Sequence, residues 1–173
     1  TAIAKDNRVI YTPFAAEVLG SQSQGDPTRL WTASKRDPWD GRDSREATFI
    51  EKLKAASPQS EIKNLDPVVN AMRAVKSPRE IAMIREATRV ASLGILEGMK
   101  AAHPGQKERE LEAVADYYFR KNGAQGPAYF ALVATGKNAH YPHYHSGESV
   151  LQDGDLVLFD YAPDIANYTS DVT

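Results

Sequence analysis

The chain has 173 residues, a formal net charge of -2 at pH 7 and no cysteine. That length holds one ordinary domain, or one plus part of another, and the missing thiols exclude disulfides, a thiolate nucleophile and cysteine-ligated zinc or iron–sulfur sites. Interleaved charges give no basic footprint for nucleic acid, and no apolar run reaches the length of a membrane span. Arg8-Val9-Ile10-Tyr11-Thr12 predicts a first strand. A Gly/Ser/Gln/Asp/Pro-rich loop is expected over residues 20–27, then a short strand at Leu30-Trp31-Thr32. Ser44 predicts a helix N-cap, with Phe49, Ile50 and Leu53 on one face and an end near Ser57-Pro58. This alternation reads as α/β structure, part of a domain rather than a whole one.

At Leu65-Asp66-Pro67 the pattern changes. Asp66 predicts the cap of a short helix with Pro67 at its first position, running to about Val75. Ser77-Pro78-Arg79-Glu80 combines a capping box with proline at N1, a stronger helix start. The helix it opens carries Ile81, Ile84, Ala87, Ala91 and Ile95 near one face and ends at His103-Pro104-Gly105. A second amphipathic helix shows Leu111, Val114, Ala115, Tyr118 and Phe119, with Gly123 as its C′ residue and Tyr117, Tyr118 and Phe119 read as packing. A strand over residues 128–134, a turn at Thr135-Gly136-Lys137-Asn138, a stretch rich in histidine and tyrosine (His140-Tyr141-Pro142-His143-Tyr144-His145) and the strand Leu156-Val157-Leu158-Phe159-Asp160 follow. Helices then strands predict an α+β half with an antiparallel sheet. With no initiator Met at Thr1 and a strand without a closing turn over residues 168–173, the expectation is a fragment cut at both ends.

Leu156 to Asp160 is apolar at both parities, which predicts burial on both faces. If Pro163-Asp164-Ile165-Ala166 is the turn and the hairpin centres between Ile165 and Ala166, Asp160 faces Asp171 and Ala162 faces Thr169. Opposed carboxylates at that separation repel unless a cation lies between them, and hard oxygen donors suit Mn²⁺, Mg²⁺ or a similar ion.

Three stretches together resemble the metallopeptidase family with the pita-bread fold, nearest its aminopeptidase P and Xaa-Pro dipeptidase branch. Arg73-Ala74-Val75-Lys76-Ser77-Pro78-Arg79-Glu80-Ile81 is similar to the R-x-x-K-S-x-x-E-I opening of the catalytic domain. Gly136-Lys137-Asn138 with His143-Tyr144 is similar to G-x-N-x4-H-Y. Asp155-Leu156-Val157-Leu158-Phe159-Asp160 with Tyr168-Thr169-Ser170-Asp171-Val172-Thr173 is similar to the D-L-V-L-x-D…Y-x-x-D-x-T hairpin. The resemblance implies that residues 67–173 are the N-terminal half of a pita-bread catalytic domain. Residues 1–66 would be the C-terminal part of a creatinase-type N-terminal domain, matching by position and element order.

The resemblance also implies roles. Asp160 would bind one metal of a pair and Asp171 would bridge both, with two divalent ions per site, Mn first and Co or Zn as alternatives. His143 would contact substrate or transition state, and Tyr129 would line the substrate cleft. His140 and His145 match no family role and are expected at the rim or surface. The implied activity is hydrolysis of Xaa-Pro peptide bonds through a metal-activated water. The implied partners are peptides with proline at the second position and a homodimer or higher oligomer, in the cytoplasm, with no nucleic acid and no membrane. The remaining ligands, one histidine and two glutamates, would lie beyond Thr173, so this chain alone is expected to be inactive. Alternatives are a non-catalytic pita-bread binding module and a creatinase-like hydrolase. Tyr161-Ala162-Pro163 departs from the small residue and glycine that many relatives carry after the first aspartate.

Overall fold

A computed structural model describes residues 9–16 and 25–173 and divides the chain between Val75 and Lys76 into two units. In the first unit β1 (Val9–Thr12) runs parallel to β2 (Glu61–Asn64), with Val9 opposite Glu61. Parallel neighbours need a long crossover. Here it contains α1 (Gly25–Arg36) and α2 (Arg45–Ala56), and α3 (Asp66–Ala74) follows β2. Ser44 caps α2 as expected, its hydroxyl accepting from the Ala47 amide at 3.2 Å, and Ser57 closes it. The short strand expected at Leu30-Trp31-Thr32 is instead inside α1, which also takes in positions 25–27 of the expected loop. Three apolar residues carry no period of their own, so the longer helical context wins. Arg8 and positions 20–24 of the expected loop lie outside the described residues. Asp66 is not the cap of α3. It is the first helical residue, and its Oδ2 accepts from the amides of Phe14 (3.0 Å) and Ala15 (2.8 Å), tying the end of β1 to the helix start.

The second unit is built on α4 (Pro78–Ala101) and α5 (Glu108–Lys121). Both halves of the capping box at Ser77 and Glu80 are formed. Ala87 and Val90 of α4 share a core cluster with Leu111, Ala115 and Phe119 of α5, and Ala91 is buried as well. Tyr117 departs from expectation and is exposed, edge-on to Tyr118. Two glycines let aromatic rings press onto α4. A Cβ on Gly94 would collide with the Phe119 ring and stand 3.1 Å from the Ala115 carbonyl; one on Gly98 would stand 2.5 Å from Phe159 Cε1.

Antiparallel strands complete this unit, in an order β3 (Gly126–Pro127), β6 (Pro163–Ile165), β7 (Tyr168–Thr169) and a separate pair β4 (Leu132–Thr135), β5 (Val157–Asp160). The strand expected over residues 128–134 is therefore interrupted. Leu132 pairs with Asp160 and Pro127 with Pro163, so residues 128–131 on one strand face only Tyr161 and Ala162 on the other. The surplus forms a bulge, which bends a ladder and re-aims side chains. The expected burial on both faces from Leu156 to Asp160 is not met: Phe159 is buried, Val157 and Leu158 are half-buried, and Leu156, just before β5, is 75% exposed.

Candidate metal and substrate site

The hairpin turns one residue later than its sequence predicts. Ile165 pairs with Tyr168 and Asp164 with Thr169, leaving Ala166 and Asn167 as the two-residue loop. Both have positive φ, 51° and 65°, the combination a type I′ hairpin turn requires. Asp164 Oδ1 accepts the Asn167 amide at 2.8 Å and fixes the turn from inside. Pro163-Asp164-Ile165 is thus strand, where a turn was expected.

This register moves the aspartates. Tyr161 donates its amide to the Val172 carbonyl at 3.2 Å, continuing the same pairing. Asp171 then lies opposite Ala162, and Asp160 is its diagonal neighbour on the same face rather than its direct partner. Such diagonal residues are roughly 7–8 Å apart at Cα, with Cβ atoms somewhat closer. Asp160 is half-buried and Asp171 exposed.

Tyr129, in the bulge, is brought to them. The Ala128 amide donates to the Ala162 carbonyl at 2.8 Å, which pins the bulge to the strand. The Tyr129 hydroxyl donates to Asp160 Oδ1 at 2.6 Å. Burial, then the hydrogen bond and charge of Asp160, hold that hydroxyl well above the ordinary tyrosine value, and the Asp171 charge adds to the effect. Tyr129 therefore stays protonated and serves as a fixed donor.

His143 lies on the surface with φ of 59°, and its carbonyl accepts from His145 Nδ1 at 2.8 Å. The exposed His145 ring packs on Phe130, centroids 4.8 Å apart. Phe130 adjoins Tyr129, so the histidine segment reaches the bulge through these two rings. His140 is exposed in the 3-10 turn Gly136–His140, where a simple turn was expected.

Oxygen donors from Asp160 and Asp171 fit a hard divalent cation in chemistry. Among the described residues no group of three or more His, Asp or Glu side chains gathers into a metal-binding cluster. Among the same residues no helix is long and apolar enough to cross a membrane.

Residues 82–173, which contain the hairpin, the bulge and the histidine segment, match the model of metallopeptidase family M24. The chain belongs to this family. An Xaa-Pro dipeptidase of Pyrococcus horikoshii is 34% identical over 125 residues, covering 72% of this chain and 36% of that M24 relative. The solved structure of Pseudomonas aeruginosa aminopeptidase PepP superposes with a TM-score of 0.70 at 30% identity, covering 98% of this chain and 34% of its own. A zinc-substituted Escherichia coli aminopeptidase P, solved with product, gives 0.68 at 28% identity, covering 80% of this chain and 32% of its own. The chain thus spans about a third of the length of these M24 relatives. Its α+β architecture is a partial domain of their pita-bread fold, and membership in a metallopeptidase family implies a divalent metal.

Sequence reasoning missed Glu108. This carboxylate is fully buried and accepts four hydrogen bonds from residues 135–149. Locally it looks like an ordinary first-turn glutamate, and its partners are 27 to 41 residues away. No short-range signal could have found it.

Proposed function

We propose that this chain carries the first half of the catalytic domain of a metal-dependent exopeptidase that hydrolyses Xaa-Pro bonds, acting on peptides with proline at the second position. The observation that carries the reading is the hairpin constellation: two carboxylates on one face, with the Tyr129 hydroxyl on Asp160. Similarity to proteins named Xaa-Pro peptidases supplies the substrate class. A divalent metal, when bound, lowers the pKa of a bound water and polarises the scissile carbonyl. In this reading Asp160 and Asp171 are the chain's ligands; their hard oxygens suit Mn²⁺, Mg²⁺ or a similar ion, and the family resemblance implies manganese with two ions per site. Tyr129 lines the cleft, and its hydrogen bond to Oδ1 holds the Asp160 carboxylate in place. His143, exposed on its loop, contacts substrate or transition state. Residues 1–66 are read as the C-terminal part of a creatinase-type N-terminal domain, supported by the parallel β1–β2 pair, and residues 67–173 as the catalytic half.

The test uses the full-length protein. Cleavage of Ala-Pro-Ala should vanish with a chelator and return with Mn²⁺. Asp171→Asn should abolish it while the circular dichroism spectrum is unchanged. Cleavage that survives complete metal removal sinks the mechanism.

A further inference from the structure

Glu108, the first residue of α5, has no exposed surface. A carboxylate so placed is costly unless its oxygens are saturated with donors. Oε1 accepts from the Thr135 amide (2.8 Å) and Asn138 Nδ2 (3.2 Å). Oε2 accepts from the Tyr144 hydroxyl (3.0 Å) and the Ser149 amide (3.2 Å). The positive end of the α5 dipole favours the negative charge further. All four donors come from residues 135–149, and two of them, on Asn138 and Tyr144, flank His143. The far end of that segment is also held by backbone: the Glu108 and Arg109 amides donate to the Ser149 and Gly147 carbonyls at 3.0 and 3.1 Å. The near end is held by the ladder too, Thr135 pairing with Val157 and the Gly136 amide donating to the Leu156 carbonyl at 2.9 Å. Asn138 Nδ2 and the Tyr144 hydroxyl also reach Ser149 Oγ, at 2.8 and 3.3 Å, but both flanks of the histidine converge on the Glu108 carboxylate.

We infer that Glu108 is the positioning residue of His143, gathering Asn138 and Tyr144 onto one buried carboxylate so that the histidine between them is presented in a fixed place. The inference rests on the proposed role of His143. A glutamine substitutes poorly, because whichever way it is turned its NH2 group faces a backbone N–H, of Thr135 or of Ser149, that can only donate.

The experiment compares Glu108→Gln, Tyr144→Phe, His143→Ala and the Glu108→Gln/His143→Ala pair in the full-length, metal-loaded protein. Glu108→Gln lowers kcat for Ala-Pro-Ala about 10- to 100-fold, the loss typical of a reacting group displaced by an ångström, with metal content unchanged. Tyr144→Phe gives a smaller loss in the same direction. The pair is no slower than His143→Ala alone, as expected if Glu108 acts through the histidine. Amide exchange supplies the readout independent of activity: Thr135 and Ser149 exchange faster in Glu108→Gln, while Val90 and Ala91 in α4 keep their protection. Losses that multiply in the pair, or protection lost equally in α4, overturn the inference and leave Glu108 as a packing residue. A fully active His143→Ala refutes the role of His143 instead, and unchanged exchange at Thr135 and Ser149 then refutes the hold of Glu108 on the segment. If Glu108→Gln does not fold, Tyr144→Phe paired with His143→Ala decides the same question.

Discussion

Gly98→Ala tests the packing that seats the first aspartate. In an exposed helix interior this change stabilises by about 1 kcal/mol, because alanine loses less backbone freedom. Here the new Cβ would stand 2.5 Å from Phe159 Cε1 and 3.3 Å from Cζ. Carbon atoms rest at about 3.5–4.0 Å, so the ring must retreat by roughly 1 Å. Phe159 is 8% exposed, and its neighbour Asp160 pairs with Leu132, so the ring has little room to move. Overpacking of this kind costs about 1–3 kcal/mol, and with the ring nearly immobile the upper half of that range applies. The net expectation is a loss of about 1–2 kcal/mol, opposite in sign to the propensity effect. Urea unfolding followed at 222 nm measures it, while tryptophan emission records the first unit separately, since Trp31 and Trp39 both lie there. Adding Phe159→Leu removes the colliding ring edge, so the double variant should lose less than the sum of the singles. Equal or greater stability in Gly98→Ala would show that the ring does not press on the helix as described.

Two further outcomes follow from the same geometry. Ser77→Ala removes the hydroxyl that accepts from the Glu80 amide and should cost about 1 kcal/mol. The Ser77 amide, then the Ser77 and Tyr168 hydroxyls, hold the Glu80 carboxylate below its ordinary value of 4.5. A lowered pKa gives stability that is complete above 4.5 and drains as pH falls below it, so amides at the α4 N-terminus should exchange faster through that window. Pre-existing fraying at neutral pH would contradict this. Ala166→Gly relieves a side chain held at φ of 51° and should raise stability by about 0.5–1 kcal/mol, read from the unfolding midpoint. A destabilised variant would mean that the turn is not of the assigned type.

What was legible in the sequence is what neighbours in the chain decide. The cap at Ser44 and the box at Ser77 and Glu80 close over three residues, and both are found where their spacing puts them. The hairpin is legible but its register is not, because Pro163-Asp164 imitates a turn while the true one needs positive φ at Ala166, a residue with no preference for it. A slip of one residue in the turn changed opposed aspartates into diagonal ones. Resemblance alone points to Tyr129, because its bond to Asp160 spans 31 residues and depends on a bulge that no local pattern signals.

The three resembling stretches are also explained by contact. The Tyr168 hydroxyl donates to Glu80 Oε1 at 3.2 Å, joining the helix-opening pattern to the hairpin pattern. Asp155 accepts from the Thr135 hydroxyl (3.0 Å) and the Gln152 amide (2.9 Å), joining the strand start to the glycine turn. Gly136 has φ of 54°, and a Cβ there would stand 3.0 Å from Asp155 Oδ1, so the turn needs glycine twice over. Asn138 and Tyr144 meet at Glu108. In this chain Glu80, Gly136, Asn138, Tyr144, Asp155 and Tyr168 are thus struts between segments, whereas Asp160, Asp171 and His143 are the pattern residues to which the proposed chemistry is given. Pattern residues that act as struts bear on the fold and not on the reaction. Asp171→Asn is therefore the decisive variant: Asp171 is exposed and outside the strut network, so losing it tests the chemistry while leaving the frame in place.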